Sequence, residues 1–238
     1  MLAEQVIGLS QSGRLNDDVH LPDEWITSLV DFIRAGLIDW RDDPLRPAQT
    51  SETQLTAQLC SRLNSLSRLS AGWDFLQFKR EEPDDTDGRR SIDLAVAPNG
   101  STIWLEGREY TEYRMLMPIE CKRLPTPRGT KRDEREYLSS KFSSTGGVHR
   151  FKAGHHGAAH CRAAIIAYVQ EQDISSWHTQ IDSWIEELTG DAVTGWSTAD
   201  KLGMILHDTS TRTAHLTSRN ERAGALGPIL LDHLWVEM

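Results

Sequence analysis

From Trp25 the apolar positions fall at helical spacing. Trp25, Ile26, Leu29, Val30, Ile33 and Leu37 recur every three or four residues, the signature of a helix with one buried face. Pro22, Asp23 and Glu24 suit its first turn, because proline is preset for a helix start and acids face the positive end of the helix dipole. A polar break from Arg41 to Pro47 precedes a second helix. That helix opens on Ser51-Glu52-Thr53-Gln54, a capping-box pattern, and the stripe Leu55, Leu59, Leu63 and Leu66 carries it to about Leu69. Residues 1–20 show no sustained period and read as a loose arm.

After Gly72 the period shortens to two. Trp73 to Phe78 reads as a strand followed by a charged loop to Arg90, and Ser91 to Ala97 alternates. Ile92, Leu94 and Val96 take one face there, and Asp93, Ala95 and Ala97 take the other. Thr102–Leu105 and a segment within Arg114–Leu124 are further strands, and residues 99–113, which include the first of these, are an extension or extra strand in the gap between Asp93 and Glu120. Lys131–Phe142 reads as a helix, Ser143–Gly157 as a glycine-bearing loop, and Ala158–Val169 as an alanine-rich helix. Ile174, Trp177, Ile181, Trp184, Ile185 and Leu188 stripe another helix, and Leu202–His207 and Ile229–Val236 are late strands. Such an order implies a layered α/β domain. The expected division is an arm and helix over 1–48 and one compact domain over 49–238.

The 238 residues, 38% apolar and 26% charged, are enough for a sizeable core and argue against wholesale disorder. No window approaches 18 uninterrupted apolar residues, so no membrane partner is expected. The start lacks the basic and apolar regions of a secretory signal. Cys60, Cys121 and Cys161 are odd in number and widely spaced, which fits a reducing cytoplasm better than a disulfide framework or a metal knuckle. The formal charge is −9, yet from Cys121 to Ala163 ten basic residues face only three acids. A locally basic stretch on an acidic chain suits a polyanion, or else is a solvated mixed surface.

Three carboxylates and a lysine carry the candidate chemistry. In the strand Met117 to Leu124, Glu120 and Lys122 lie two apart and so share a face. A carboxylate beside an ammonium suits metal-assisted phosphodiester hydrolysis. The acid binds a hard cation, the Cys121 backbone carbonyl adds an oxygen, and the lysine orients water and offsets charge. Asp93, among small apolar residues, wants a partner that a shared metal would supply. Glu52 lies on the face of Leu55 and Leu59, which aims it at the sheet. Each has a plainer alternative: a surface ion pair, an exposed strand acid, and a first-turn acid favoured by the helix dipole. His156 and His160 are spaced as zinc ligands on a helix, but no nearby acid or cysteine completes a site. His215, Arg219 and Arg222 lie in a polar stretch before the last strand.

Taken in order, Glu52, Asp93 and Glu120-x-Lys122 resemble the motif of the restriction-endonuclease-like, or PD-(D/E)XK, nuclease superfamily. The resemblance covers Ser51 to Leu124 and continues more loosely through Val169, with Ile92 standing where the family name has proline. It implies a mixed central β-sheet flanked by helices, a restriction-endonuclease-like core. It also implies that Asp93 and Glu120 hold Mg²⁺ or Mn²⁺ with the Cys121 carbonyl, that Lys122 serves the water, and that Glu52 completes the metal shell. Thr145 to Gly154, followed by the apolar run to Val169, is similar to segments of bacterial nuclease-like proteins from defence gene clusters. The implied partners are nucleic acid, DNA favoured over RNA, and a partner protein of the same defence system or a second copy. There a Gly-Gly loop would bring N–H groups to an anion, and Arg150, Lys152, Arg123 and Lys131 are the expected nucleic-acid contacts. The alternative from a different class is a catalytically silent protein of this fold that binds nucleic acid or scaffolds a partner.

Overall fold

The computed structural model describes residues 22–105, 107–129, 132–141, 146–190, 195–222 and 224–238; the arm read over residues 1–20 lies outside them. In chain order the elements are α1 (Pro22–Arg41), α2 (Glu52–Leu69), β1 (Leu76–Pro83), β2 (Ser91–Pro98), β3 (Ile103–Leu105), β4 (Arg108–Tyr110) and β5 (Met117–Leu124). There follow α3 (Gly147–Lys152), β6 (Arg162–Val169), α4 (Ile174–Thr189), β7 (Gly203–Asp208), β8 (Thr213–Asn220) and β9 (Ile229–Glu237). Seven strands form one mixed sheet in the order β1-β2-β5-β6-β9-β8-β7, while β3 and β4 make a separate hairpin. The middle of the sheet, β5-β6-β9, is parallel and both flanks are antiparallel. Among the described residues no helix is long and apolar enough to cross a membrane.

The two faces of the sheet make two cores. Leu29, Val30, Ile33 and Leu37 of α1 and Leu55, Leu59 and Leu63 of α2 cover one face, all fully buried. Complete burial of such a side chain contributes about 1.5–3 kcal/mol. Trp177, Ile181, Trp184 and Ile185 of α4 cover the other face. Helix α4 starts where Asp173 accepts a hydrogen bond from Ser176 N at 2.7 Å, satisfying one of the free first-turn donors.

Three sequence expectations fail, each for a physical reason. Residues 162–169 form strand β6 rather than an alanine-rich helix. Ala164, Ile166 and Tyr168 enter one core and Ala163, Ile165, Ala167 and Val169 the other. A central parallel strand is apolar on both faces, so its sequence carries no period, and the alanines mimic helix propensity. The described part of the helix expected over Lys131–Phe142 is a series of turns. The carbonyls of Glu136, Tyr137 and Leu138 accept from Gly147, Val148 and His149 N–H, so they are spent on capping α3, a helix inside the expected loop. Strand β1 runs on through the charged residues to Pro83, which an edge strand tolerates. The polar stretch around His215 is itself strand β8, paired on both sides.

Candidate active site

Two neighbouring strands position the site and then part. The β2–β5 pairing ends at Leu94 opposite Ile119. Beyond that point the edge of β5 facing β2 lacks strand partners, and carboxylates take its N–H groups. Asp93 Oδ2 accepts from Cys121 N at 2.8 Å, and Glu52 Oε2, from the first turn of α2, accepts from Arg123 N at 3.2 Å. Helix α2 is fixed there by Ser51, whose side chain accepts from Gln54 N. The strand alternation that buries Ile119 and Cys121 in the first core turns Glu120 and Lys122 to the opposite face.

All four sequence-derived residues meet. Lys122 Nζ lies 2.8 Å from Glu120 Oε1, 3.5 Å from Glu52 Oε1 and 3.7 Å from Asp93 Oδ2, and donates to the Cys121 carbonyl at 2.9 Å. Glu120 is fully buried and Lys122 nearly so, while Glu52 and Asp93 stand at the mouth with side chains 31% exposed. Two residues join them from the far side. Arg150 NH1 is 2.5 Å from Glu120 Oε1, and His156 Nδ1 is 3.3 Å from Glu120 Oε2. The His156 contact lacks hydrogen-bond geometry, which leaves Glu120 Oε2 and His156 Nδ1 buried with no hydrogen-bond partner among the described residues.

The electrostatics follow from this crowding. Burial works to raise the Glu120 pKa, but Lys122 first, with His156 and Arg150, outweighs it and holds the carboxyl well below its usual range. Burial alone would lower the Lys122 pKa; Glu120, Asp93 and Glu52 together push it up, so the ammonium stays charged. Asp93 is pushed up to about 6 by burial and then by Glu120, against the pull of Lys122. Three carboxylates thus face two permanent cations, and Asp93 carries the shortfall of positive charge.

Among the described residues no three His, Cys, Asp or Glu side chains are spaced to hold a metal ion. The reason is local: the carboxylates are gathered on the Lys122 ammonium, at the separations of an ion-pair cluster. By chemistry the set fits a hard divalent cation. It offers three carboxylates and a backbone carbonyl, all oxygen donors, with a buried oxygen on Glu120 lacking a hydrogen-bond partner and one negative charge left over.

The expected nucleic-acid contacts divide. Arg150 is spent in part on Glu120, and Arg123 Nε donates to Gln170 at 2.8 Å. Lys152 is a correction: it is buried, with Nζ 2.6 Å from Asp200 Oδ1 and over the Trp196 ring. It faces inward on the side of α3 that it shares with buried Val148, four residues earlier, where Asp200 lies opposite. Lys131 lies outside the described residues. In the Gly-Gly loop the Gly147 N–H donates to the Glu136 carbonyl. A Cβ on Gly147 would come within 2.6 Å of Tyr137 O, and one on Gly146 within 2.4 Å of Ser139 Cα, so these glycines permit backbone approach inside the protein. The sequence reading missed His156 as a neighbour of Glu120, since only the folded loop joins them. Searches against protein-family models, curated proteins and solved structures found no match to this chain.

Proposed function

We propose that this chain is a divalent-metal-dependent phosphodiesterase that hydrolyses nucleic acid, with DNA the favoured substrate, on a restriction-endonuclease-like core. The observation that carries the reading is the convergence of Glu52, Asp93, Glu120 and the Cys121 carbonyl, from three elements, around one ammonium. Asp93, Glu120 and the Cys121 carbonyl would hold Mg²⁺ or Mn²⁺ with Glu52 completing the shell, and such an ion supplies Lewis-acid polarisation and a water of lowered pKa. The chain's own part is positional. Lys122 donates to the attacking oxygen and offsets the charge that builds on the phosphate. Arg150 and His156 fix the Glu120 carboxylate, and Arg123 and Arg150, which flank the cluster, would meet an incoming backbone. The setting we attach to this reading, on the sequence resemblance alone, is bacterial anti-phage defence, with a partner protein or a second copy as the companion.

One observation favours a catalytically silent protein of the same fold. Lys122 Nζ already lies among the carboxylates, at the place a bound cation would take. A cleavage assay separates the two readings. Plasmid, linear duplex, single-stranded DNA and RNA are incubated with Mg²⁺, Mn²⁺ or EDTA, with Asp93→Ala and Lys122→Ala beside the parent. Metal-dependent cutting lost in both variants supports the nuclease. Cutting that survives both, or none by any protein, rejects it in favour of a contaminant or the silent reading.

A further inference from the structure

A second cation-lined site lies behind the His156 loop. The residues leading into β6, the end of β8 and the approach to β9 line an open cavity of about 440 Å³, whose walls include His160, Cys161, Arg219, Arg222 and Gly227. Its volume lies in the range of ligand pockets, about 300–1,000 Å³. On a chain of net charge −9 its lining holds two guanidinium groups and no carboxylate.

Arg222 is the informative residue. Its Nε donates to Gly227 O at 2.6 Å and its NH1 to Gly157 O at 3.1 Å, and both acceptors are neutral. A guanidinium carries more N–H donors than those two bonds use. Half-buried, Arg222 forms no ion pair with a carboxylate among the described residues, and burial pulls its pKa down. A desolvated cation without a counter-charge is unfavourable, and an anion is what relieves it. Arg219 adds a second, exposed cation whose nearest carboxylate, Glu221, is 3.9 Å away and equally exposed. His160 sits buried at the wall with Nε2 3.1 Å from Asp85.

We propose that this cavity binds a phosphate group, with Arg222 and Arg219 as its charged donors. Fork-shaped guanidinium groups match the oxygens of phosphate, and two of them three residues apart at the end of β8 set its orientation. The site is tied to the first one by the loop between them. Gly157 accepts from Arg222, donates to Asp84 at 2.9 Å, and follows directly on His156, which meets Glu120. The phosphate belongs either to a nucleic-acid strand or to a free nucleotide. Nothing in the proposal requires the carboxylate cluster to be catalytic.

Cys161 gives a direct readout, because it is exposed in the cavity while Cys60 and Cys121 are buried. Its rate of alkylation by iodoacetamide is measured with EDTA present, at constant ionic strength in chloride. Inorganic phosphate, deoxyadenosine 5′-monophosphate, deoxyadenosine and a short single-stranded oligonucleotide are added in turn. The expected result is that phosphate and the mononucleotide slow the reaction, by about tenfold at about ten times Kd, while the nucleoside does not. The slowing disappears in Arg222→Gln and weakens in Arg219→Gln, an exposed change that leaves the fold intact. Stronger slowing by the oligonucleotide than by the mononucleotide assigns the phosphate to a strand, and the reverse assigns it to a free nucleotide. An unchanged rate with phosphate, or equal slowing in parent and both variants, overturns the proposal. Because no cleavage is read and no divalent ion is present, failure here is distinct from failure of the nuclease reading.

Discussion

Replacing Lys152 with methionine tests the most consequential reassignment in the molecule. By sequence Lys152 is a phosphate contact; in the fold it is an internal counter-ion for Asp200, at 2.6 Å, with the two side chains 5% and 1% exposed. Methionine keeps the packing volume and removes the charge. Removing one partner of a buried pair costs about 3–5 kcal/mol, because the other charge is left uncompensated. Asp200 keeps some help here, since Oδ2 accepts from Ser197 N at 2.7 Å, which places the expected loss near the lower end, about 3 kcal/mol. For a domain of this size that lowers Tm by about 6–12 °C. Adding Asp200→Asn, which keeps the turn acceptor and removes the stranded charge, recovers about half of the loss. The assay is equilibrium urea unfolding followed by far-UV circular dichroism, since Trp196 lies against Lys152 and its fluorescence would report the mutation itself. A loss below about 1 kcal/mol, as for a solvated surface pair, refutes the reasoning. So does a fall of about one in the salt dependence of nucleic-acid binding, the mark of a lost phosphate contact.

Three other outcomes are expected. Calcium, a hard divalent ion, raises the parent's Tm by about 5–10 °C at about 100 times Kd; Asp93→Asn abolishes the rise in a thermal melt, and an equal rise in both proteins removes the metal assignment. Gly147→Ala puts a methyl 2.6 Å from Tyr137 O and 3.4 Å from Lys122 Cγ, so it destabilises by about 1–3 kcal/mol in urea unfolding; a neutral change contradicts the close approach. Burial holds His233 neutral, with its pKa lowered from 6.5 to about 3, while it bridges Tyr137 OH at 2.6 Å and Ser218 Oγ at 2.9 Å. A depressed folded pKa gives stability that is complete above pH 6.5 and falls with pH, by about 1.4 kcal/mol per unit, toward the folded value. Asp93, raised to about 6, acts with the opposite sign over part of that window. The test is therefore the difference between parent and His233→Gln from pH 7 to 5, where a pH-independent difference would show that His233 is not buried neutral.

Much of the helical layer and the site was legible along the chain. Ser51 with Gln54 and the Leu55–Leu59–Leu63 stripe mark α2 because capping and a single buried face are local properties. Glu120 and Lys122 share a face because side-chain direction in a strand has period two. What only the tertiary structure decided is where locally ambiguous segments are buried. Arg162–Val169 became a strand because β5 and β9 pair with both of its edges and both cores cover its faces, and none of these neighbours is near it in sequence. Lys152 turned inward because Asp200 lies opposite it, and His156 reached Glu120 because Gly157 is held between Asp84 and Arg222. Periodicity records a residue's relation to its own helix or strand, whereas the fate of a charge depends on which distant groups share its low-dielectric surroundings.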